Sequence, residues 1–160
     1  MAAPSPRPGA DALHLVCFSL HEQEYGVAIA DVKETLALRP IVRMFLTPDW
    51  LAGLMNLRGD VVPVIDLARF LGMPPTVAGD DGRIVVLRHK TLVAGVLVDR
   101  MAEVRVVPRD RLAPLPATVP AETASVMGGM AAHDAGAVRV LDVAALFESE
   151  RVRALDRGGS

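Results

Sequence analysis

An arginine set between two glycines is the residue of this chain best placed to do chemistry. Arg58 follows an apolar stretch that begins near Gly53, and Gly59 comes directly after it. Its guanidinium carries five donors in a fixed plane, which suit a carboxylate or several carbonyl groups. The two glycines add no side-chain bulk where another backbone could approach. The residues leave two interpretations open, an internal salt bridge to Asp66 or Glu34 and an interface with a partner.

No catalytic or cofactor motif is recognisable elsewhere. The sequence lacks a P-loop, a dinucleotide-binding glycine motif, a paired-histidine zinc motif, a Cys-x-x-Cys pair and a nucleophile elbow. No two of the four histidines lie at ligand spacing, so no metal site is predicted. Cys17 lies within an apolar run and is predicted to be a buried, inert thiol.

Two aspartates could act as general bases. Asp66 and Asp99 each end an apolar strand, but an aspartate in that position usually caps a neighbouring backbone N–H, and we favour the cap. The pair Asp80-Asp81 lies among glycines and is read as a solvated turn. We therefore predict no catalytic residue and no cofactor.

Composition limits the class of protein. The chain has 160 residues, 51% of them apolar, which suffices for one domain or two closely associated subdomains. A net charge of −2, interleaved acids and bases, and only 4% aromatic residues argue against nucleic-acid binding. A single cysteine and no secretory signal predict the cytoplasm. The apolar runs are strand-length, so no direct membrane insertion is expected.

Many short strands joined by tight turns predict a barrel or sandwich. We expect a disordered lead over residues 1–12, a folded region over 13–155 and a flexible tail over 156–160. Strands are predicted at residues 13–20, 25–29, 41–46, 61–66, 84–87, 92–98, 104–107, 126–131 and 138–141. Asp31 is expected to cap a short helix, with further helices at 67–71 and 143–155. Pro63 favours an edge or a bulge, and no internal repeat is evident.

Seven short motifs follow one another in a characteristic order. They are Phe18-Ser-Leu-His-Glu-Gln-Glu-Tyr-Gly-Val-Ala-Ile29, Val32-Lys-Glu-Thr35, Thr47-Pro-Asp-Trp-Leu-Ala-Gly53, Asn56-Leu-Arg-Gly59, Val62-Pro-Val-Ile-Asp-Leu67, Gly95-Val-Leu-Val-Asp99 and Val138-Arg-Val-Leu-Asp142. In this order and at these spacings, the stretch from Leu15 to about Glu148 resembles the CheW-like family, the coupling proteins of bacterial chemosensory arrays.

The resemblance implies a mainly β fold over residues 13–155. It consists of two intertwined five-stranded SH3-like β-barrels with short helices and a C-terminal helix. It also implies a non-catalytic adaptor that couples the cytoplasmic tips of methyl-accepting chemoreceptors to the regulatory domain of a CheA-type histidine kinase. Other CheW-like domains are further expected partners. The expected location is the cytoplasm, at receptor arrays under the inner membrane.

The resemblance also assigns residues to surfaces. The receptor hairpin is expected in a groove between the barrels, on a side formed or supported by Val32, Glu34, Gly53, Asn56, Arg58 and Gly59. A kinase or ring contact is expected at Leu112, Leu115 and Thr118.

The chain departs from the family pattern in places. Ala117-Thr118 stands where an aromatic residue is common, which puts the second ring contact in doubt. Phe45 and Trp50 are expected to be exposed and to mark a different partner. One alternative is a divergent member of a motility or pilus pathway that binds only receptor or only kinase. Another is a small hydrolase that uses Asp66 or Asp99.

Overall fold

Ten strands form two five-stranded sheets in the computed structural model, which describes residues 12–77 and 79–158. The first sheet, barrel 1, has the order β8-β1-β2-β10-β9. Its strands are β1 (Ala12–Leu20), β2 (Gln23–Ala28), β8 (Arg100–Pro108), β9 (Met127–His133) and β10 (Gly136–Leu141). The second sheet, barrel 2, has the order β3-β6-β7-β5-β4. Its strands are β3 (Val32–Ala37), β4 (Leu51–Leu57), β5 (Asp60–Asp66), β6 (Arg83–His89) and β7 (Leu92–Val98).

Each sheet curls around its own apolar interior. In barrel 2 all five strands send side chains into one cluster, which a flat sheet could not do. Its fully buried members are Met55, Leu57, Val62, Val64, Ile84 and Val86. Barrel 1 encloses a smaller cluster built on Leu15, Cys17, Val138 and Val140. The predicted mainly β fold of two five-stranded barrels is confirmed.

The chain passes between the barrels twice, so they are intertwined. It builds β1 and β2 in barrel 1, then β3 to β7 in barrel 2, and returns for β8 to β10. A third and largest cluster lies between the two sheets and includes Phe18, Trp50, Phe70 and Phe147. Because this shared core draws on both barrels, the two must fold as one unit.

The two barrels have equivalent strand arrangements, related by a circular permutation of the chain. The strands β8, β9, β10, β1 and β2 of barrel 1 take the places of β3, β4, β5, β6 and β7 of barrel 2. In each barrel an antiparallel hairpin joins the rest of the sheet through one parallel pairing, β5 with β7 and β10 with β2. Isolated bridges occupy equivalent places, Val42 with Leu54 and Ala113 with Met130. The equivalence of the two barrels is a feature of their strand arrangement, and no repeat was predicted from the sequence.

Four short helices complete the fold: α1 (Leu67–Phe70), α2 (Ala121–Ala124), α3 (Val143–Glu148) and α4 (Glu150–Gly158). The predicted C-terminal helix over 143–155 is two helices, since the chain leaves helical geometry at Ser149. The Ser149 hydroxyl donates to the carbonyl of Leu146 at 2.7 Å and accepts from the Val152 amide at 3.4 Å. A serine that serves both helix ends favours a break there. α4 continues to Gly158, into the predicted tail, and residues 1–11 and 159–160 of the predicted lead and tail lie outside the described residues.

The helix predicted from Asp31 is wrong. Ile29–Asp31 form a single 3₁₀ turn, and Val32–Ala37 continue as β3 with strictly alternating half-buried and exposed residues. This period of two belongs to a strand. The spacing of Val32 and Leu36, four residues apart, fits a strand face as well as a helical turn, which explains the error.

The strand predicted at residues 41–46 is also wrong. Only Val42 pairs, with backbone hydrogen bonds of 2.8 and 2.9 Å to Leu54, while residues 43–46 form an exposed loop.

Pro63 marks neither an edge nor a bulge in its own strand. β5 pairs on both sides, but its bonds to β7 begin only at Val64, so the missing N–H of Pro63 is not needed there.

Candidate docking surface

The tip of the β4–β5 hairpin presents Arg58 to solvent. Arg58 and Gly59 both have positive φ, +52° and +90°, and form the two-residue turn between the strands. The Asn56 side chain accepts a hydrogen bond from the Gly59 amide at 3.1 Å, which stabilises this turn. The motif Asn56-Leu-Arg-Gly59 is thus a turn that projects a cation, and the Arg58 side chain is 67% exposed.

Arg58 forms a two-pronged ion pair with Glu34 on β3. Nη1 donates to Oε2 and Nη2 donates to Oε1, the latter at 2.8 Å. The hydrogen bond from Arg58 lowers the pKa of Glu34 below its ordinary value. Of the two partners predicted from the sequence, the structure selects Glu34 over Asp66. The pair lies at the surface, so Arg58 has an intramolecular partner and remains accessible.

Gly53 holds the hairpin to the rest of barrel 2. A Cβ added to Gly53 would lie 2.3 Å from the Val42 carbonyl oxygen and 2.7 Å from Cγ2 of Ile41. Its φ of +150° also disfavours other residues. The glycine is buried, so its place in the predicted receptor-binding set is structural support rather than contact.

The other predicted receptor-facing residues surround the same edge of barrel 2. Val32 begins β3 and is half-buried against the shared core, whereas Asn56 and Gly59 are exposed at the hairpin tip. A cavity of about 420 Å³ lies beside Arg58 and is lined by residues such as Lys33, Asp60 and Val61. The prediction therefore gathers residues that are neighbours in space.

A second, more apolar cavity adjoins the first, since both are lined by Leu92 and Val93. We call it the α4 groove; it has a volume of about 450 Å³ and lies between barrel 2 and the C-terminal helices. Its apolar lining consists chiefly of Pro63, Ile65, Ala94, Phe147, Val152 and Leu155. Lys90 and Arg153 also line it, both are exposed, and neither forms an ion pair within the described residues.

One polar contact joins the two sides of the α4 groove. His89, at the end of β6, lies with Nε2 2.8 Å from a carboxylate oxygen of Glu148, at the end of α3. The His89 ring also packs at 5.9 Å from that of Phe147. Sequence reasoning missed this groove, because its lining comes from β5, β7, α3 and α4 and only tertiary structure brings them together.

The predicted kinase or ring contact lies in the loop between β8 and β9. Leu112 packs against the interior cluster of barrel 1. Leu115 lines a shallow apolar pocket of about 350 Å³ together with Pro114, Ala117 and Val119. Thr118 is exposed and lies outside that lining. Two of the three predicted residues are thus part of packed apolar structure.

The expectation that Phe45 and Trp50 are both exposed is half wrong. Phe45 is 95% exposed, but Trp50 is only 5% exposed and packs edge-on against Phe70 with ring centroids 5.0 Å apart. Trp50 therefore belongs to the shared core. Phe45 projects from the 43–46 loop beside Leu46, which is also fully exposed.

The aspartates considered for catalysis are bound to backbone amides, as predicted. Asp66 caps α1 through the Arg69 amide at 3.2 Å and accepts from the Thr76 amide and hydroxyl at 3.2 and 3.0 Å. Asp99 accepts from the His21 amide at 2.7 Å. These contacts do not favour the hydrolase alternative.

Cys17 and the acidic residues give no sign of other chemistry. Burial raises the pKa of the Cys17 thiol to about 12, so it stays protonated and inert at neutral pH. In the part of the chain that the structure describes, no group of three His, Cys, Asp or Glu side chains is placed to hold a metal ion. No helix in that part is both long and apolar enough to cross a membrane.

Two intertwined five-stranded barrels with a shared apolar core define the class of fold. Residues 14–151 match the model of the CheW-like domain, and the chain belongs to the CheW-like family. It is 32% identical over 133 residues to a probable chemotaxis protein CheW of Rhizobium etli, covering 83% of this chain and 86% of that one. It is 27% identical to a chemotaxis protein CheW of Klebsiella aerogenes over 139 residues, or 87% of this chain and 84% of that one.

A solved structure supports the same assignment. The scaffolding protein TtCheW from Thermoanaerobacter tengcongensis matches 94% of this chain and 95% of its own, with a TM-score of 0.78 and 30% identity. The family predicted from the motifs is therefore confirmed, and the names of these relatives agree with the predicted chemotaxis scaffold. The individual receptor and kinase contacts stay predictions.

Proposed function

We propose that this protein is a non-catalytic scaffold that couples methyl-accepting chemoreceptors to a CheA-type histidine kinase in the cytoplasm, at receptor arrays under the inner membrane. The observation that carries the proposal is the continuous surface of the Arg58 cavity and the α4 groove. This surface combines an apolar lining, a projecting arginine and further cations, and it belongs to a chain of a chemotaxis scaffold family.

The α4 groove suits the helical tip of a receptor. An amphipathic helix binds by laying its apolar face into an apolar groove, while its polar flanks meet the rim. Ile65, Ala94 and Val152 supply apolar lining here. Lys90 and Arg153 supply positive charge and form no ion pair within the described residues, which favours carboxylates on the bound helix.

Arg58 would add a polar anchor at the end of this surface. Its guanidinium group is already oriented by Glu34, so the side chain loses little conformational freedom on binding. A guanidinium held in this way still presents its open edge to a carbonyl or carboxylate. Val32 lies on the strand of Glu34 and would contribute apolar contact where it is half exposed.

The loop at residues 112–120 would meet the kinase regulatory domain or another CheW-like domain. Its shallow apolar pocket is lined by Leu115 and Val119, and four glycine or alanine residues leave room for a partner side chain. This contact lies in the β8–β9 loop of barrel 1, whereas the receptor surface is built on barrel 2. One scaffold could therefore hold both partners at once.

A direct test is co-purification of the full chain with two separate fragments from the same organism, a receptor cytoplasmic tip and a kinase regulatory domain. We expect both fragments to be retained, together and separately, without ATP. The proposal would be overturned if one or both of the fragments were not retained.

A narrower function is favoured by one observation. Ala117 and Thr118 replace the aromatic residue common in the family, and both are exposed rather than packed. A member of a motility or pilus pathway that binds only receptor would have such a weakened kinase or ring contact. Retention of the receptor fragment alone would support this second function.

A further inference from the structure

Three contacts converge on Arg151, the second residue of α4. Its guanidinium carbon lies 3.6 Å from the centroid of the Phe70 ring, and Nη2 donates to the Phe70 carbonyl at 2.8 Å. Nε lies 2.8 Å from a carboxylate oxygen of Glu122 on α2. A single side chain therefore ties α4 to α1 and to α2.

These contacts use the particular chemistry of arginine. The planar guanidinium stacks on the buried Phe70 ring, which itself packs against Trp50, and this is a cation–π contact. The Phe70 carbonyl is one of the last in α1, where a cation also interacts favourably with the helix dipole. Lysine could not stack and donate in two directions at once.

The segment that Arg151 anchors forms one wall of the α4 groove. Val152 and Leu155 line the groove and pack against the shared core, and Arg153 lines it as well. The rest of α4 is short and is separated from α3 by the break at Ser149. A short helix after a break is weakly stable by itself, so its position depends on side-chain anchors.

We propose that Arg151 is a positioning residue for receptor recognition. It holds α4 against the barrels, so that Val152 and Leu155 complete the apolar wall and Arg153 pairs, together with Lys90, with carboxylates of the bound receptor helix. The inference rests on the proposed function and deepens it, since it assigns the groove's shape to one side chain and its charge preference to two others.

The first measurement needs no partner. Hydrogen exchange on the full chain compares wild type with Arg151→Ala. We expect amides of residues 151–155 to exchange roughly tenfold faster in the variant, because a charged hydrogen bond and a cation–π contact are lost. Amides in the core strand β6 should be unchanged. Equal exchange in α4 would overturn the anchoring role.

The second measurement is binding of a receptor cytoplasmic-tip fragment and, separately, of a kinase regulatory domain. Arg151→Ala should weaken receptor binding by roughly tenfold and leave kinase binding unchanged. Arg151→Lys should rescue little of the loss, whereas Glu122→Gln, which leaves the Phe70 contacts in place, should cost roughly threefold. Should Arg151→Ala fold poorly, Glu122→Gln still decides the question.

Arg153→Ala and a matched control separate the effect of the position of α4 from the effect of the positive charge that Arg153 carries. Arg153→Ala should weaken receptor binding by about threefold and reduce its salt dependence, with no change in α4 exchange. Arg88→Ala is the control, because Arg88 is exposed, lines neither cavity and makes no side-chain hydrogen bond or ion pair in the described residues. It should leave both affinities unchanged.

The outcomes distinguish this inference from the proposed function. If wild type binds neither fragment, the proposed function fails. If it binds only the kinase domain, receptor recognition fails, and with it this inference. If wild type binds the receptor fragment and Arg151→Ala binds equally well, only the inference is overturned. Equal loss of receptor and kinase binding would reduce Arg151 to general stabilisation and would also overturn it.

Discussion

The two barrels have equivalent strand arrangements but differ in how they present their ion pairs. In barrel 2 the β4–β5 hairpin tip projects Arg58, which is 67% exposed, whereas its partner Glu34 is 20% exposed. In barrel 1, Glu24 on β2, Arg105 on β8 and His133 at the end of β9 form a cluster whose side chains are only 17%, 23% and 16% exposed. One architecture therefore carries a charge that is available to partners and a charge cluster that is turned inward.

The barrel 1 cluster is arranged for structure. Arg105 donates from Nε and Nη2 to the two oxygens of Glu24, which joins β8 to β2 across the intervening strand β1. The Ala135 amide donates to Nδ1 of His133 at 3.1 Å, and Nε2 of the same ring lies 3.6 Å from a Glu24 carboxylate oxygen. Arg105 and Glu24 satisfy each other, whereas Nε2 of His133 is buried without a hydrogen-bond partner among the described residues. The comparison teaches that equivalent strand arrangements can differ in whether a charged side chain is left accessible to a partner.

The largest expected effect comes from the two equivalent glycines beside the isolated bridges. An added Cβ would lie 2.3 Å from the Val42 carbonyl oxygen at Gly53 but 2.8 Å from the Ala113 carbonyl oxygen at Gly129. Both have positive φ. We expect Gly53→Ala to lower the free energy of unfolding by about 3 kcal/mol and Gly129→Ala by about 2 kcal/mol. Urea denaturation measures both losses. A larger loss for Gly129→Ala than for Gly53→Ala would contradict the order expected from the two distances.

The next effect separates the two ion pairs. Glu24→Gln should lower the free energy of unfolding by about 1–2 kcal/mol, because it leaves Arg105 partly buried without its carboxylate. The Glu34 side chain is 20% exposed, but Arg58 is 67% exposed and stays hydrated when it loses its partner, so Glu34→Gln should lower stability less than Glu24→Gln. Glu34→Gln should also weaken receptor binding, because it leaves the Arg58 guanidinium less constrained. Equal destabilisation by both substitutions would show that the two ion pairs contribute equally to stability.

Acid pH should sharpen the same contrast. Burial alone would raise the pKa of Glu24, but the hydrogen bond and charge of Arg105 outweigh it and hold the pKa below its ordinary value of 4.5. A carboxylate whose pKa is lower in the folded state stabilises the fold at pH values above its pKa in the unfolded state. This contribution is lost as the pH falls through the pKa of the folded state. We expect wild type to lose more stability than Glu24→Gln when urea melts are taken from neutral pH to below pH 4.5. Equal losses of stability in wild type and Glu24→Gln would show that the Glu24–Arg105 pair does not stabilise the fold.

Much of the fold could be predicted from the sequence because the relevant signals are local. The hairpin strands carry apolar runs bounded by turns, and Asp66 and Asp99 end their strands as caps should. The β3 error arose because Val32 and Leu36 fit two periodicities. The equivalence of the two barrels escaped detection because its shared features are backbone events, such as the bridges at Val42 and Ala113, which many sequences can form.

The candidate site was predictable only in part. Asn56, Arg58 and Gly59 are adjacent in sequence, so the motif located the hairpin tip. The α4 groove was not predictable, since Ile65, Lys90 and Arg153 meet only when β5, the β6–β7 turn and α4 pack together. Arg151 gave no signal either, because stacking on Phe70 depends on the path of the chain after Ser149.

The central claim is that Arg58 acts in docking rather than in folding. The most direct measurement is receptor-dependent kinase activation with purified receptor, kinase and either wild type, Arg58→Ala or the control Arg88→Ala, alongside the thermal melting curve of each scaffold. The account predicts that Arg58→Ala melts like wild type but activates the kinase several-fold less, because an exposed ion pair contributes little to stability. If Arg58→Ala unfolds and the loss of activation only follows unfolding, the arginine is structural and the claim is contradicted.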